Sequence, residues 1–173
     1  MILQSEILQC AEKEGVSPDS LRWQTSIKIE IIFYEQVVNN PVKLPLYSRY
    51  SDKNSFEGIC IPCYIIPEIL AEKFRALLQR SYPALRDYYD LWRLLQQSKL
   101  IDWETITATF KQKVAFKDVP FNNYEDFFEE SRLKKMKKEW NNSLQSHLKE
   151  DMLPSVDHVL ATLKEMCSQV NWS

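Results

Sequence analysis

The spacing of apolar residues changes character at Pro67, and that change most limits what the chain can become. Upstream, residues 26–34 alternate: Ile27, Ile29, Ile31 and Phe33 point one way, Lys28, Glu30 and Ile32 the other, as in a β-strand. A shorter β-rich run covers 59–66, where Pro62 suits an edge or a bulge, and an irregular strand is expected near 44–47. Downstream of Pro67 the period becomes helical. It predicts helices over 67–79, 87–97, 103–113, 123–140, 143–149 and 155–170. Pro67, Asp102 and Ser155 mark three of the starts. A further short helix is expected over 2–14, with Gly15 as its stop. The fold class is therefore α+β: a small β-containing region, 1–66, followed by a mostly helical region, 67–173, together expected to form one compact unit.

Composition narrows the function. Hydrophobic residues make up 45% and charged residues 27% of the 173 residues, the balance of an ordinary globular protein. Only two glycines occur, Gly15 and Gly58, which excludes a glycine-rich phosphate loop. A net charge of −2 gives no overall electrostatic footprint for nucleic acid. No apolar run has the length of a membrane span and the N-terminus has no export pattern, so a cytoplasmic location, with no membrane partner and with reduced cysteines, is expected.

Two charged residues break the helical pattern. In 68–80, Ile69, Leu70, Phe74, Leu77 and Leu78 project into one arc, with Glu68, Glu72, Arg75 and Gln79 on the opposite face, read as solvent-facing. Lys73 lies inside the shoulder of the apolar arc, and Arg80 shares that shoulder. In the next helix, Leu91, Leu94 and Leu95 form the arc, and Asp87 projects into it. A lysine and an aspartate on the buried sides of consecutive helices are costly unless they pair or serve a ligand. Packing of the two helices would bring Lys73 and Asp87 together.

The segments "EILAEKFRALLQR" and "RDYYDLW" resemble the AbiEii/AbiGii-type nucleotidyltransferase toxin family, whose members carry an Ala-Glu-Lys helix and then an Arg-Asp-x-x-Asp-Leu helix. The upstream "IKIEIIFYE" is similar to the family's third-carboxylate strand, so the resemblance runs from about Ser26 onward. It implies transfer of a nucleotide from an NTP to an acceptor such as tRNA, with Mg²⁺, in a toxin–antitoxin or phage-defence setting with an antitoxin partner. Glu30 would be a metal carboxylate, Lys73 a catalytic and phosphate-binding residue, and Asp87 an active-centre carboxylate. Arg80 and Arg86 would be further nucleotide-binding residues. The sequence departs from the family in lacking the Gly-Gly/Ser turn and the Asp-x-Asp pair that precede the third-carboxylate strand. A second expectation follows from that departure: a truncated, catalytically silent remnant, or a half completed by a separate N-terminal polypeptide, acting through protein binding.

Plainer readings stand beside these roles. Glu30 and Lys28 can simply be solvated, Lys73 can snorkel along the rim of a core stripe, and Asp87 can be a helix N-cap, with Asp90 structural. The Cys60-Ile61-Pro62-Cys63 pair lies within a strand-like run without two further ligands at zinc spacing. Packed thiols are therefore expected rather than a metal or redox site. Lys134, Lys135, Lys137 and Lys138, followed by Trp140, look like an RNA-touching patch, but a charge run on a helix is usually its solvated face.

Overall fold

A computed structural model describes residues 34–47, 57–80, 82, 84–97, 101–144 and 153–172. The chain separates into two compact units, Met1–Glu35 and Gln36–Ser173, and the architecture below is that of the second. The expected 2–14 helix, residues 26–33 of the expected strand with Glu30, and residues 145–149 of the expected 143–149 helix lie outside the described residues.

Two short strands, β1 (Val42–Pro45) and β2 (Cys60–Cys63), pair antiparallel, with Val42 opposite Cys63 and Pro45 opposite Cys60. In a two-stranded ribbon both strands are edges, which is why Pro45 and Pro62 are tolerated. β2 is shorter than the 59–66 run suggests, and β1 has the expected length but lies two residues earlier. Gly58, in the turn before β2, has φ +79°, a conformation that a side chain disfavours.

Five α-helices follow among the described residues: α1 (Ile66–Gln79), α2 (Leu85–Gln97), α3 (Trp103–Phe116), α4 (Glu130–Leu144) and α5 (Val156–Ser168). This is the expected α+β class. Local chemistry fixes several ends. Pro67 stands in the first turn of α1, where a missing N–H costs nothing. Asp102 accepts from the Thr105 amide at 2.9 Å and from its hydroxyl at 2.6 Å, and these bonds hold its carboxyl below the usual range. Ser155 caps α5 through the His158 amide. The C-terminal carbonyls of α1 are met from a distance: Arg132 Nη1 donates to Leu77 O at 2.5 Å and Leu78 O at 3.1 Å.

The single helix expected over 123–140 is divided. Tyr124–Phe128 is a 3₁₀ helix, Glu129 is non-helical with ψ 124°, and α4 starts after it. Short polar side chains compete with the helix here. Asn123 accepts from the Glu125 amide at 2.7 Å, and Asp126 accepts from the Asn122 amide at 2.6 Å. The break turns Phe127 into the core.

An aromatic cluster forms that core. The rings of Phe74, Phe110, Phe127 and Trp172 are all fully or almost fully buried. Trp172 lies 5.0 Å from both Phe74 and Phe127 and 5.3 Å from Phe110, edge-on to each. Indole and phenol groups find backbone acceptors: Trp172 Nε1 donates to Cys167 O, Trp140 Nε1 to Pro154 O, and the Tyr88 hydroxyl to Phe127 O. Burial among these rings raises the Tyr88 hydroxyl pKa and pushes the Cys167 thiol up to about 12. Trp140 is thus committed to the core, while Lys134, Lys135, Lys137 and Lys138 face solvent. Lys137 pairs with Asp157 at 2.5 Å.

Cys60 is exposed and Cys63 half-buried, so the expectation of packed thiols is corrected. They cover the ribbon rather than a core. Side chains three apart on a strand point to opposite faces, which also keeps the two sulfurs from chelating one ion. Replacing both by serine is expected to change stability by less than about 0.5 kcal/mol. Urea unfolding tests this, and a loss above about 1.5 kcal/mol would place the thiols in a packed or ligated site.

Candidate functional site: a charged cleft between two helices

The site is built on α1 and α2. Lys73 sits in the middle of α1, on the shoulder of a stripe whose Leu70, Phe74 and Leu77 are buried. Asp87 is the third residue of α2, not its N-cap, because the helix already starts at Leu85 and the Asp87 amide donates to Ala84 O. In the first turn its carboxylate still faces the positive end of the helix dipole. Asp87 shares its face with Leu91 and Leu95, and is buried with them.

The Lys73 ammonium reaches both carboxylates of α2. It donates to Asp90 Oδ2 at 2.7 Å and to Asp87 Oδ1 at 3.1 Å. The other Asp87 oxygen faces Arg80 Nη1 at 2.8 Å. That contact has ion-pair distance but not hydrogen-bond geometry, so Asp87 Oδ2 is a buried oxygen without a hydrogen bond. Burial pulls the Lys73 ammonium down, but the Asp90 hydrogen bond and the charges of Asp87 and Asp90 outweigh it. The net pKa is raised, and Lys73 stays a cation.

Lys73, Arg80 and Asp87 line an open cleft of about 260 Å³ with Tyr64, Ile69 and Gln79. Ala76, Arg75 and Glu72 complete its wall, and the last two bond to each other. Arg86 is exposed and does not line the cleft. Of the residues singled out from the sequence, the structure therefore brings together Lys73, Arg80 and Asp87. It adds Asp90, read there as structural.

The opposite face of α1 differs from expectation. Glu68 and Arg75, read as solvent-facing, are only 1% and 6% exposed. A helix projection assumes one buried face, whereas α1 is covered on this side too, by α3 and by the irregular segment 36–39. Glu68 pairs with Lys113 of α3 at 2.7 Å and accepts from the amides of Val38 and Asn39 and from Asn39 Nδ2. Lys113 also donates to Gln36 O at 2.8 Å and lies 3.3 Å from Glu72. Asn39 Nδ2 reaches Thr109 Oγ1 at 2.8 Å. Burial alone would raise the Glu68 carboxyl, but the bonds from Lys113 and Asn39 bring it below its ordinary value. The signal for this node was present in the sequence: Lys113 follows Ile106 and Phe110 at helical spacing, the same anomaly that marks Lys73.

Among the described residues, no group of three or more His, Cys, Asp or Glu side chains is placed to hold a metal ion. Asp87 and Asp90 are both engaged with cations, so they do not form a magnesium site in this arrangement. Among the described residues, no helix is long and apolar enough to cross a membrane.

The family model described as nucleotidyl transferase AbiEii toxin, type IV toxin–antitoxin system, matches residues 8–162. No curated protein and no solved structure gives a match.

Proposed function

The chain belongs to the AbiEii nucleotidyltransferase toxin family of type IV toxin–antitoxin systems, and from that premise we propose that the α1–α2 cleft holds the triphosphate of an NTP during nucleotide transfer to an acceptor such as tRNA. The observation that carries this reading is the Lys73–Asp87–Arg80 bridge, two cations aimed into one cleft by one buried carboxylate. A cleft of about 260 Å³ is below the range of pockets that enclose a whole drug-sized ligand, roughly 300–1,000 Å³. It suits a phosphate tail, with the nucleoside lying outward.

In the transfer, an acceptor hydroxyl oxygen forms a bond to the α-phosphorus, and the bond from that phosphorus to the β-phosphate bridging oxygen breaks. Pyrophosphate leaves with the added negative charge. Lys73 and Arg80 are suited to neutralise that charge without reorganising, because Asp87 fixes them beforehand. Asp87 is less suited to take the hydroxyl proton, since both its oxygens face cations, and that proton passes to solvent water. We assign it as the residue that positions Lys73. Magnesium, which the family resemblance implies, would be held by Glu30 and would supply further neutralisation of the departing pyrophosphate. An antitoxin counterpart follows from the family.

The sequence carries neither the glycine turn nor the aspartate pair, which favours a second reading in which this chain provides only the phosphate-contacting part of a site. Incubated with labelled NTPs, magnesium and bulk tRNA, the chain alone is therefore expected to incorporate no label. Robust incorporation that vanishes on Lys73→Ala would overturn the second reading and establish the chain as a complete transferase.

A further inference from the structure

We propose that Asp90 sets how tightly the cleft holds a polyphosphate, by occupying the Lys73 ammonium until the anion displaces it. The inference rests on the reading of the cleft as a phosphate site. Asp90 is the nearer of the two Lys73 partners, 2.7 Å against 3.1 Å. It is also the more exposed, its side chain 43% accessible against 6% for Asp87. The two carboxylates therefore differ in what leaving the lysine would cost. Asp90 can turn into water, and a half-exposed pair of this kind contributes little. Asp87 would leave a buried charge behind, and Arg80 also holds it in place.

An ammonium has three donors. Lys73 can keep Asp87, drop Asp90 and offer the freed proton to a phosphate oxygen. Charge favours the same exchange. Lys73 and Arg80 are balanced by Asp87 and Asp90, so an arriving polyphosphate meets a neutral cluster, and Glu72 and Arg75 pair with each other. Without the Asp90 charge the cluster carries one net positive charge. Removing one like charge a few ångströms from a polyanion at a partly exposed site changes affinity on the order of tenfold.

The test is calorimetric titration of the full chain with inorganic triphosphate at low salt. Asp90→Asn is expected to bind about tenfold more tightly than the unsubstituted chain. Asp90→Ser removes the same charge and should match it, while Asp90→Glu, which keeps the charge, should stay within about twofold. Lys73→Met should lose binding. A loosened protein does not bind more tightly, so the direction separates this role from a structural one. Asp90→Asn and Asp90→Ser binding no better than the unsubstituted chain, while Lys73→Met loses binding, would overturn the Asp90 role and leave the phosphate site standing. Equal tightening by Asp90→Glu would overturn it as well, because charge would not be the cause. Unchanged binding by Lys73→Met, or no binding by any of these proteins, would remove the phosphate site and the Asp90 role together.

Discussion

Glu68→Ala is expected to destabilise the protein by about 3–5 kcal/mol, the cost of breaking a buried ion pair from one side. The substitution strands Lys113, whose side chain is 6% exposed, with only the longer Glu72 contact and a backbone carbonyl. It also leaves the Val38 and Asn39 amides without their acceptor. Combining Glu68→Leu with Lys113→Met should recover only part of the loss, since it removes both charges but not the stranded amides. The pH dependence has a definite sign. The Glu68 carboxyl is lowered from an ordinary 4.5, so its contribution is present above that value and is lost as pH falls through the lower folded value. Urea unfolding between pH 7 and 3 should show a steeper acid loss for the unsubstituted chain than for Glu68→Leu/Lys113→Met. A loss under 1 kcal/mol for Glu68→Ala would mean that segment 36–39 is not held through this carboxylate.

The second large effect is expected at the cleft. Asp87→Leu removes the shared partner of Lys73 and Arg80, and Lys73→Met leaves the buried Asp87 to Arg80 alone. Each single change should cost more than its share of the double, with a coupling of about 1–3 kcal/mol. Removing one partner leaves a charge where water is scarce, while removing both does not. Asp90 keeps the coupling below that of an isolated pair, because it still holds Lys73 when Asp87 is gone. Strict additivity in urea unfolding would show that the 3.1 Å contact carries no energy, and Asp87 would then act only through the helix dipole.

These two clusters differ in how readily the sequence discloses them. Lys73 and Asp87 each interrupt an apolar arc of a well-marked helix, so periodicity alone brings them forward, and their place on consecutive helices brings them together. Lys113 interrupts the α3 stripe in the same way. Its partner Glu68 looked solvated only because a projection gives α1 one inward face, and nothing local says that residues 36–39 will lie across the other. Helix starts at Asp102 and Ser155 were legible because their side chains bond amides two or three residues on. The break at Glu129 was not, since neither proline nor glycine marks it, and the competition from Asn123 and Asp126 shows only in their bonds. Asp90 lies at the edge of its arc, where the sequence favours a structural reading, yet an edge position is what lets it reach Lys73 and still face water.

The claim on which the functional account turns is that the α1–α2 cleft takes the phosphate tail of a nucleotide through Lys73. Phosphorus NMR of an NTP titrated with the full chain tests it most directly, because each phosphate reports separately. The β and γ resonances should broaden and shift ahead of the α resonance, and Lys73→Met should abolish the effect while circular dichroism shows the helices intact. Identical broadening with the unsubstituted and Lys73→Met proteins, or none with either, would contradict it.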